Sequence, residues 1–456
     1  MKTVKTLIAF LWLVVLCSMV SCSDHEESVP EPLAPEPPSI TIPSTENLHP
    51  SFTSGGGKDT LIFTATADWN ATIKADNKSA GWLTVSPSNG SKGENQLIIA
   101  AAGNLTPDDR DAEVILQCGE VVKTIIVHQD FNYQLTLLED GEVTTLQEHT
   151  KGKGINLVIM GDGFVAVDMG RGGKYETLMK KTVEAYFSVE PMCSLREYFN
   201  VYSVTVISAS DVIGENTALS TTFTGGTSIT GNNDKCMEYA RKVNQLSGTV
   251  RNTPMIVVLN SPRYAGTTYM HSWGYSIAFC PYVENNDERF AQIIHHEAVG
   301  HGFGYLGDEY DNEHEEPLPL GQANDLQKAA SMYGWYSNLD FTPDIEKVKW
   351  HRFISDARYA AEGLGAWEGA YGYKKGVYRP TEISIMRYNV GGFNAPAREA
   401  IYKRVMQLAG EAYSYDRFIE YDAINRTDVG RGVKHAEQKG IDKTHFIPLA
   451  SPRIIL

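Results

Sequence analysis

Residues 293–310 read IIHHEAVGHGFGYLGDEY, and the spacing of the histidines in that stretch decides how the rest of the chain is read. A zinc hydrolase needs two neutral imidazoles on one helical face and a carboxylate beside the attacking water. His-Glu-x-x-His meets that need because residues four apart lie about 40° from each other around a helix. Here His296-Glu297 is followed by three residues before His301, and residues five apart lie about 140° from each other. Two arrangements reconcile the spacing with a shared face. A single-turn π-bulge absorbs the additional residue and returns His296 and His301 to one side, with Gly300 lowering the steric cost; this reading is preferred. The alternative keeps the helix regular and makes Glu297 and His301 the co-facial ligands, which removes Glu297 from service as general base. His295 is a neighbour with a packing or supporting role. Gly302, Gly304 and Gly307 each oppose continued helix, so the chain turns near Gly304 and can swing Asp308 or Glu309 back toward a metal.

Around this stretch the pattern alternates strand and helix. INLVIMGDGF (155–164) is a buried strand ending in a turn, and YETLMKKTVEAYFS (175–188) has helical spacing. FNVYSVTVIS (199–208) is a strand, NDKCMEYARKVNQL (233–246) a helix and PMIVVLN (254–260) a further buried strand. GTTYMHSWGYSIAFCPY (266–282) reads as an edge strand followed by an inner one, leading into a helix over about residues 288–302. This order implies an α/β domain with a mostly parallel sheet. Residues from about 414 to 456 carry no motif to which a role is assigned.

Residues before 131 have another texture. DTLIFTATADWNATIKA, GWLTVSPSNGSKGENQLIIAAAG and DAEVILQCGEVVKTIIVHQD alternate apolar and polar residues between Gly, Asn, Asp and Pro turns, the pattern of an antiparallel β-sandwich. Preceding it, SDHEESVPEPLAPEPP is an extended tether. The first 24 residues, MKTVKTLIAFLWLVVLCSMVSCSD, place Lys2 and Lys5 before a short apolar run and small residues, as in a secretory signal. Expected boundaries are therefore a leader at 1–21, a tether at 22–37, a sandwich at 38–130 and a second domain at 131–456. The chain of 456 residues is long enough for two or more cores. A formal charge of −16 and the lack of a basic stripe argue against nucleic acid as partner. Cys118, Cys193, Cys236 and Cys280 show no C-x-x-C pairing, so buried free thiols are expected rather than a thiolate zinc site.

Three family resemblances follow from these motifs. The Met-Val-Ser-Cys22 junction resembles the lipidation box of bacterial lipoproteins, and SDHEES is similar to export signals on Bacteroidetes surface lipoproteins. The implied location is the outer membrane or cell surface, with Cys22 as anchor and no other membrane contact. GGGKDTLIFTATADW, GWLTVSPSNGSKG, NLTPDDRDAEVIL and TIIVHQ resemble BACON modules, Ig-like β-sandwiches proposed to bind carbohydrate or mucin. Trp69 and Trp82 are the residues that would stack on a sugar, although a spacer role with buried tryptophans is the commoner case. GH-x-F-G-x-L-x-DEY, together with NLVIMGDGF and GVYRPTEISIMR (376–387), resembles IgA-peptidase-like zinc metallopeptidases. Their hallmark is His-Glu-x-Gly-His followed by LADEY, so the additional residue here departs from that pattern. The same His-Glu-x-x-Gly-His spacing occurs in dipeptidyl peptidase III-type enzymes.

That resemblance implies one catalytic Zn2+ held by His296, His301 and an acidic residue of DEY, with Glu297 as general base. Asp308 is the expected third ligand and Glu309 its alternative. SIMRY (384–388) resembles the Met-turn of metzincins: Met386 would pack beneath the imidazoles, and Tyr388 would either reach toward the zinc as a catalytic residue, its hydroxyl stabilising the oxyanion of the tetrahedral intermediate, or remain a core residue. The whole chain is thus expected to be multidomain, an all-β Ig-like sandwich followed by an α/β metzincin-like zinc peptidase. It would be a surface-anchored metalloendopeptidase acting on proteins or peptides, host glycoproteins such as immunoglobulin A among them. The rival expectation is a catalytically weak or inactive lipoprotein that binds glycans or glycoproteins. The acidic run DEYDNEHEE offers carboxylates for Ca2+, but such runs are usually solvated. Asp162 serves the site or caps a helix, and Arg379 pairs with an acidic neighbour or holds a substrate carboxylate, pairing being favoured.

Overall fold

The computed structural model describes residues 36–74, 81–104, 106, 108–132, 136–283, 286–427 and 446–456. The leader, Cys22 and all but the end of the tether lie outside the described residues. The chain divides into two compact units, residues 1–132 and 133–456.

The first unit is all β. Its strands are β1 (Ile40–Thr41), β2 (Ser51–Phe52), β3 (Gly57–Ala65), β4 (Trp69–Lys74), β5 (Leu83–Ser86), β6 (Asn89–Gly90), β7 (Gly93–Ala101), β8 (Arg110–Cys118) and β9 (Val121–Gln129). They form two sheets, ordered β1-β3-β7-β5 and β2-β9-β8-β4-β6. Alternation in the sequence becomes alternation in burial: Leu61, Phe63 and Ala65 of β3 face Val114, Leu116 and Cys118 of β8 in one shared core. The SNGSKGEN turn contains β6, which pairs with β4 in the second sheet before β7 enters the first. Trp69 is buried, edge-on to Phe63 at 4.9 Å, so it packs the core. Trp82 is half-buried and carries the Arg110 guanidinium over its ring at 4.4 Å.

The second unit is mixed α/β. Its strands are β10 (Val143–Gln147), β11 (Ile155–Asp162), β12 (Phe199–Val204), β13 (Thr222–Gly225), β14 (Ser228–Thr230), β15 (Pro254–Leu259), β16 (Thr267–His271), β17 (Ser276–Pro281), β18 (His314–Pro317), β19 (Trp367–Ala370), β20 (Tyr373–Arg379) and β21 (Arg453–Ile455). The main sheet has the order β10-β12-β11-β15-β17-β16-β21. Its centre, β12-β11-β15-β17, is parallel, while β10 and β16 run antiparallel to their neighbours. Both faces are covered, which is why β15 and β17 read as unbroken apolar runs. Leu157 and Ile159 of β11 join a core with the helices Lys174–Tyr186 and Ala395–Ala409, and Val158 and Met160 join one with the helix Asn233–Ala240. That last helix ends six residues earlier than its sequence pattern predicts. The chain turns at Arg241 and continues as a 3-10 turn at Asn244–Leu246.

Cys118, Cys236 and Cys280 are buried free thiols, but Cys193 is exposed, contrary to the sequence expectation. It lies on the one-turn helix Met192–Leu195, where Met192 and Leu195 take the buried positions.

Candidate metal centre

A helix starts at Asp287, where the Asn286 side chain accepts from the Arg289 amide, and runs as α-helix to Ile293. From Ile294 to Phe303 it becomes a π-helix. The widening that the His296–His301 spacing calls for is therefore present, but over ten residues rather than one turn. It ends at Gly304, whose amide donates to Val299 O at 2.7 Å, and Tyr305 follows with φ of 52°. Apolar residues of this helix, among them Phe290, Ile293, Ala298 and Phe303, pack into the core beneath the sheet.

The result is convergence. His296 Nε2 and His301 Nε2 lie 3.1 Å apart, and Asp308 Oδ1 lies 3.2 Å from the first and 3.1 Å from the second. The imidazole rings meet edge-on at 4.8 Å. All three side chains are fully buried. The other ring nitrogens are engaged: His296 Nδ1 donates to Ile385 O at 3.0 Å and His301 Nδ1 to Leu306 O at 2.8 Å. These carbonyls place the proton on Nδ1 and leave a lone pair on each Nε2. Two nitrogen lone pairs and a carboxylate oxygen then face one another with no donor between them. Among the described residues, this is the buried group of histidines and carboxylates spaced to hold a metal ion; Asp109, His128 and Asp130 form an exposed one.

Two buried carboxylate oxygens beside the cluster also lack partners, Asp308 Oδ2 and Glu297 Oε1. Glu297 is held by its other oxygen, 2.7 Å from the Thr268 hydroxyl of β16. A Cβ at Gly266 would stand 2.7 Å from Oε1, so glycine there keeps the carboxylate in place. Burial pushes the Glu297 carboxyl up to about 8, against the opposing effect of His296. Burial also acts to raise Asp308, but His301 and His296, when they carry a proton on Nε2, outweigh it through charge and hydrogen bonds and hold that carboxyl well below the usual range. Neutral nitrogen and carboxylate oxygen donors in a dry cradle fit Zn2+.

Met386 packs under this helix. A Cβ at Gly300 would run into Met386 Sδ, so the glycine is what lets the methionine approach. The turn Ser384–Tyr388 also binds on either side of Met386: Ile385 O receives His296, and Met386 O accepts from the Glu309 amide at 2.8 Å. Tyr388 is half-buried, edge-on to Phe446 at 5.3 Å, with the Arg387 guanidinium over its ring.

The two acidic residues of DEY part company. Asp308 joins the imidazoles, whereas Glu309 turns to Asn338 (2.8 Å), Asn394 (3.0 Å) and the Ser384 hydroxyl (2.6 Å). Adjacent side chains leave an extended segment on opposite sides, so one cannot follow the other to the same point. Burial raises the Glu309 carboxyl, with these three donors opposing it. His295 faces away, with Nε2 2.8 Å from Ala185 O and 2.9 Å from the Ser188 hydroxyl; burial pushes its pKa down to about 4.

Asp162 neither reaches the site nor caps a helix. It receives Ser208 Oγ, Leu219 N and Thr221 Oγ1 and so fastens the loop between β12 and β13. Among the described residues Arg379 makes no ion pair; Nη1 donates to the carbonyls of Glu368 and Gly369 and ties β20 to β19. The acidic run folds partly into the exposed strand β18, and apart from Asp308 its carboxylates join no group spaced to hold a metal among the described residues.

Sequence reasoning missed Thr268, Gly266 and Tyr310. Tyr310 lies parallel to the His296 ring at 6.1 Å, and its hydroxyl donates to Leu449 O at 2.7 Å. The Y of DEY was the signal for it.

No curated protein matches the chain. Solved structures similar to it include a Bacteroides ovatus GH5 xyloglucanase in complex with a XXXG heptasaccharide, at 17% identity and a TM-score of 0.20, over 49% of this chain and 47% of that one. Another is a Bacteroides thetaiotaomicron protein solved by NMR, at 23% identity and a TM-score of 0.17, over 24% of this chain and 98% of that one. The chain thus spans about half the length of the xyloglucanase, 47%. Residues 44–132 match the family model described as viral BACON domain. Residues 144–358, which include His296, Glu297, His301 and Asp308 but not the Met386 turn, match that described as IgA Peptidase M64. The chain therefore pairs a region similar to IgA Peptidase M64 with an N-terminal region similar to a BACON domain, and the former match supports a peptidase.

Proposed function

We propose that the second unit is a zinc metalloendopeptidase, with His296 Nε2, His301 Nε2 and Asp308 Oδ1 as the metal ligands and Glu297 as general base. The observation that carries this reading is the meeting of three acceptor atoms, 3.1–3.2 Å apart, whose competing protons are already committed to backbone carbonyls. A zinc ion held there supplies Lewis acidity toward a scissile carbonyl and acidifies a water. Glu297 takes the proton of the attacking water on its free Oε1 and delivers it to the departing amine. Thr268 fixes the other oxygen, so the carboxylate cannot rotate away. Ile385 O and Leu306 O hold both imidazoles in the tautomer that presents a lone pair. Met386 supports the helix from below, and Tyr388 sets its half-buried ring against Phe446.

The substrate class is protein or peptide, and the chain is exported and anchored through Cys22. Both proposals have direct tests. The full chain should bind about one zinc per molecule, and it should cleave a mixed pool of quenched peptides. Dialysis against dipicolinate should stop cleavage and added Zn2+ should restore it. Cleavage that survives metal removal would contradict the reading. Metabolic labelling with palmitate should mark the parent chain and not Cys22→Ala; equal labelling would remove the anchor.

A further inference from the structure

His296, Glu297, His301 and Asp308 are all 0% exposed, yet a peptidase must admit a polypeptide. The segment 446–455 runs past residues that adjoin this buried group. The Phe446 ring rests on Tyr388. Ile447 O accepts from the Tyr264 hydroxyl at 3.2 Å, Pro448 O from Thr227 Oγ1 at 3.0 Å and Leu449 O from the Tyr310 hydroxyl at 2.7 Å. Ala450 N donates to Gly266 O at 3.3 Å. Leu449 is 1% exposed, and β21 then pairs in parallel with β16, Tyr269 opposite Arg453.

Three of these four holders are neighbours of the metal cradle or its turn. Tyr310 is stacked on His296, Gly266 abuts the free oxygen of Glu297, and Tyr264 receives the Asn389 side chain beside the Met386 turn. Three consecutive carbonyls and the next amide are grasped through the main chain, whatever the side chains. That is how a cleft holds an extended peptide: backbone bonds give affinity and alternate side-chain seats give selectivity.

We propose that residues 446–451 lie in the peptide-binding cleft as an internal, substrate-like strap. Tyr264, Gly266 and Tyr310, which hold the strap's backbone, take over the substrate's backbone when the strap leaves. The proposal rests on the peptidase reading above. Leu449 occupies an apolar seat, so the substrate class it marks is an extended peptide with an aliphatic residue at that position.

The test compares the full chain with Leu449→Asp and Phe446→Ala, which loosen the strap without altering the cradle. Two rates are measured: withdrawal of zinc by dipicolinate, and cleavage of the peptide pool. Both are expected to rise at least about tenfold, because a mostly closed state lowers apparent competence by its closed fraction. Unchanged zinc withdrawal in both variants overturns the strap. Parent cleavage as fast as that of the variants overturns it too, while leaving the peptidase intact. Faster zinc withdrawal with no cleavage by any form upholds the strap as a cover and sinks the peptidase. Should the variants misfold, Tyr269→Cys with Arg453→Cys gives the converse test. Those side chains share a face, with the Arg453 guanidinium 5.5 Å from the Tyr269 ring. Their disulfide should slow both rates and TCEP should restore them; rates indifferent to the cross-link overturn the proposal. In the Leu449→Asp background, Tyr310→Phe should raise KM and leave kcat nearly unchanged; a fall confined to kcat overturns the backbone-holding role.

Discussion

Two clusters in this molecule have the same kinds of residue and opposite physics. Asp109, His128 and Asp130 stand at the surface of the sandwich; His296, His301 and Asp308 stand at the core of the second unit. In the first, His128 Nδ1 is 2.8 Å from Asp111 and its Nε2 3.5 Å from Asp130. Both nitrogens face carboxylates, so the ring is favoured as a cation and its pKa is raised, chiefly by the Asp111 hydrogen bond. In the second, each Nδ1 proton goes to a carbonyl, so each ring presents a lone pair. One histidine is arranged to keep a proton and the other two, on the proposed reading, to receive a metal. The difference lies in what the far ring nitrogen touches and in how much water remains, not in the list of residues.

The sharpest break between the clusters comes from removing one imidazole from each. His301→Ala should lose bound zinc and peptide cleavage together, while His128→Ala keeps both; metal analysis after dialysis reads the contrast, and equal loss would erase it. Glu297→Gln tests the base alone: cleavage should fall by about 10²–10⁴-fold with zinc retained. A variant that cleaved at the parent rate would remove Glu297 from the mechanism.

Smaller effects separate the supports from the ligands. Glu309→Ala takes one acceptor from each of the buried Asn338 and Asn394 amides and from the Ser384 hydroxyl and should cost about 1–3 kcal/mol in urea unfolding, yet zinc should still bind. Loss of zinc with unchanged stability would make Glu309 a ligand after all. Gly300→Ala forces Met386 aside and should cost about 1–3 kcal/mol as overpacking, with a lowered Tm; an unchanged Tm would mean the methionine does not press on the helix. The smallest effect belongs to the surface. Because the folded pKa of His128 is raised above its ordinary 6.5, the Asp111 contact stabilises fully below pH 6.5 and fades as pH rises through the folded value. Asp111→Asn should therefore destabilise at pH 6 by no more than about 0.2–1 kcal/mol and not at pH 8. NMR titration of His128 reads the same shift, and an unmoved titration would deny the contact.

The sequence carried much of this because local patterns encode local structure. Period-two alternation marked β3, β7, β8 and β9, and unbroken apolar runs marked β11, β15 and β17. The five-residue spacing of His296 and His301 pointed to a widened helix, since a regular one would splay the rings. What escaped depends on contacts far apart in the chain. Nothing near Glu309 announces Asn338 and Asn394, nothing near Asp162 announces Thr221, and the Thr268–Glu297 contact spans 29 residues. Tyr310 and Leu449 are 139 residues apart. Such partners are set by the folded sheet and its covering helices, not by any periodicity around them.

The central claim is that the π-helix turns two imidazoles, five residues apart, onto one cation. X-ray absorption at the zinc K-edge of the metal-loaded full chain tests it most directly. Two imidazole nitrogens at about 2.0–2.1 Å and a carboxylate oxygen at about 2.0–2.2 Å, with one imidazole lost in His301→Ala, is the predicted result. A spectrum showing a single imidazole, or one unchanged by that substitution, would contradict it.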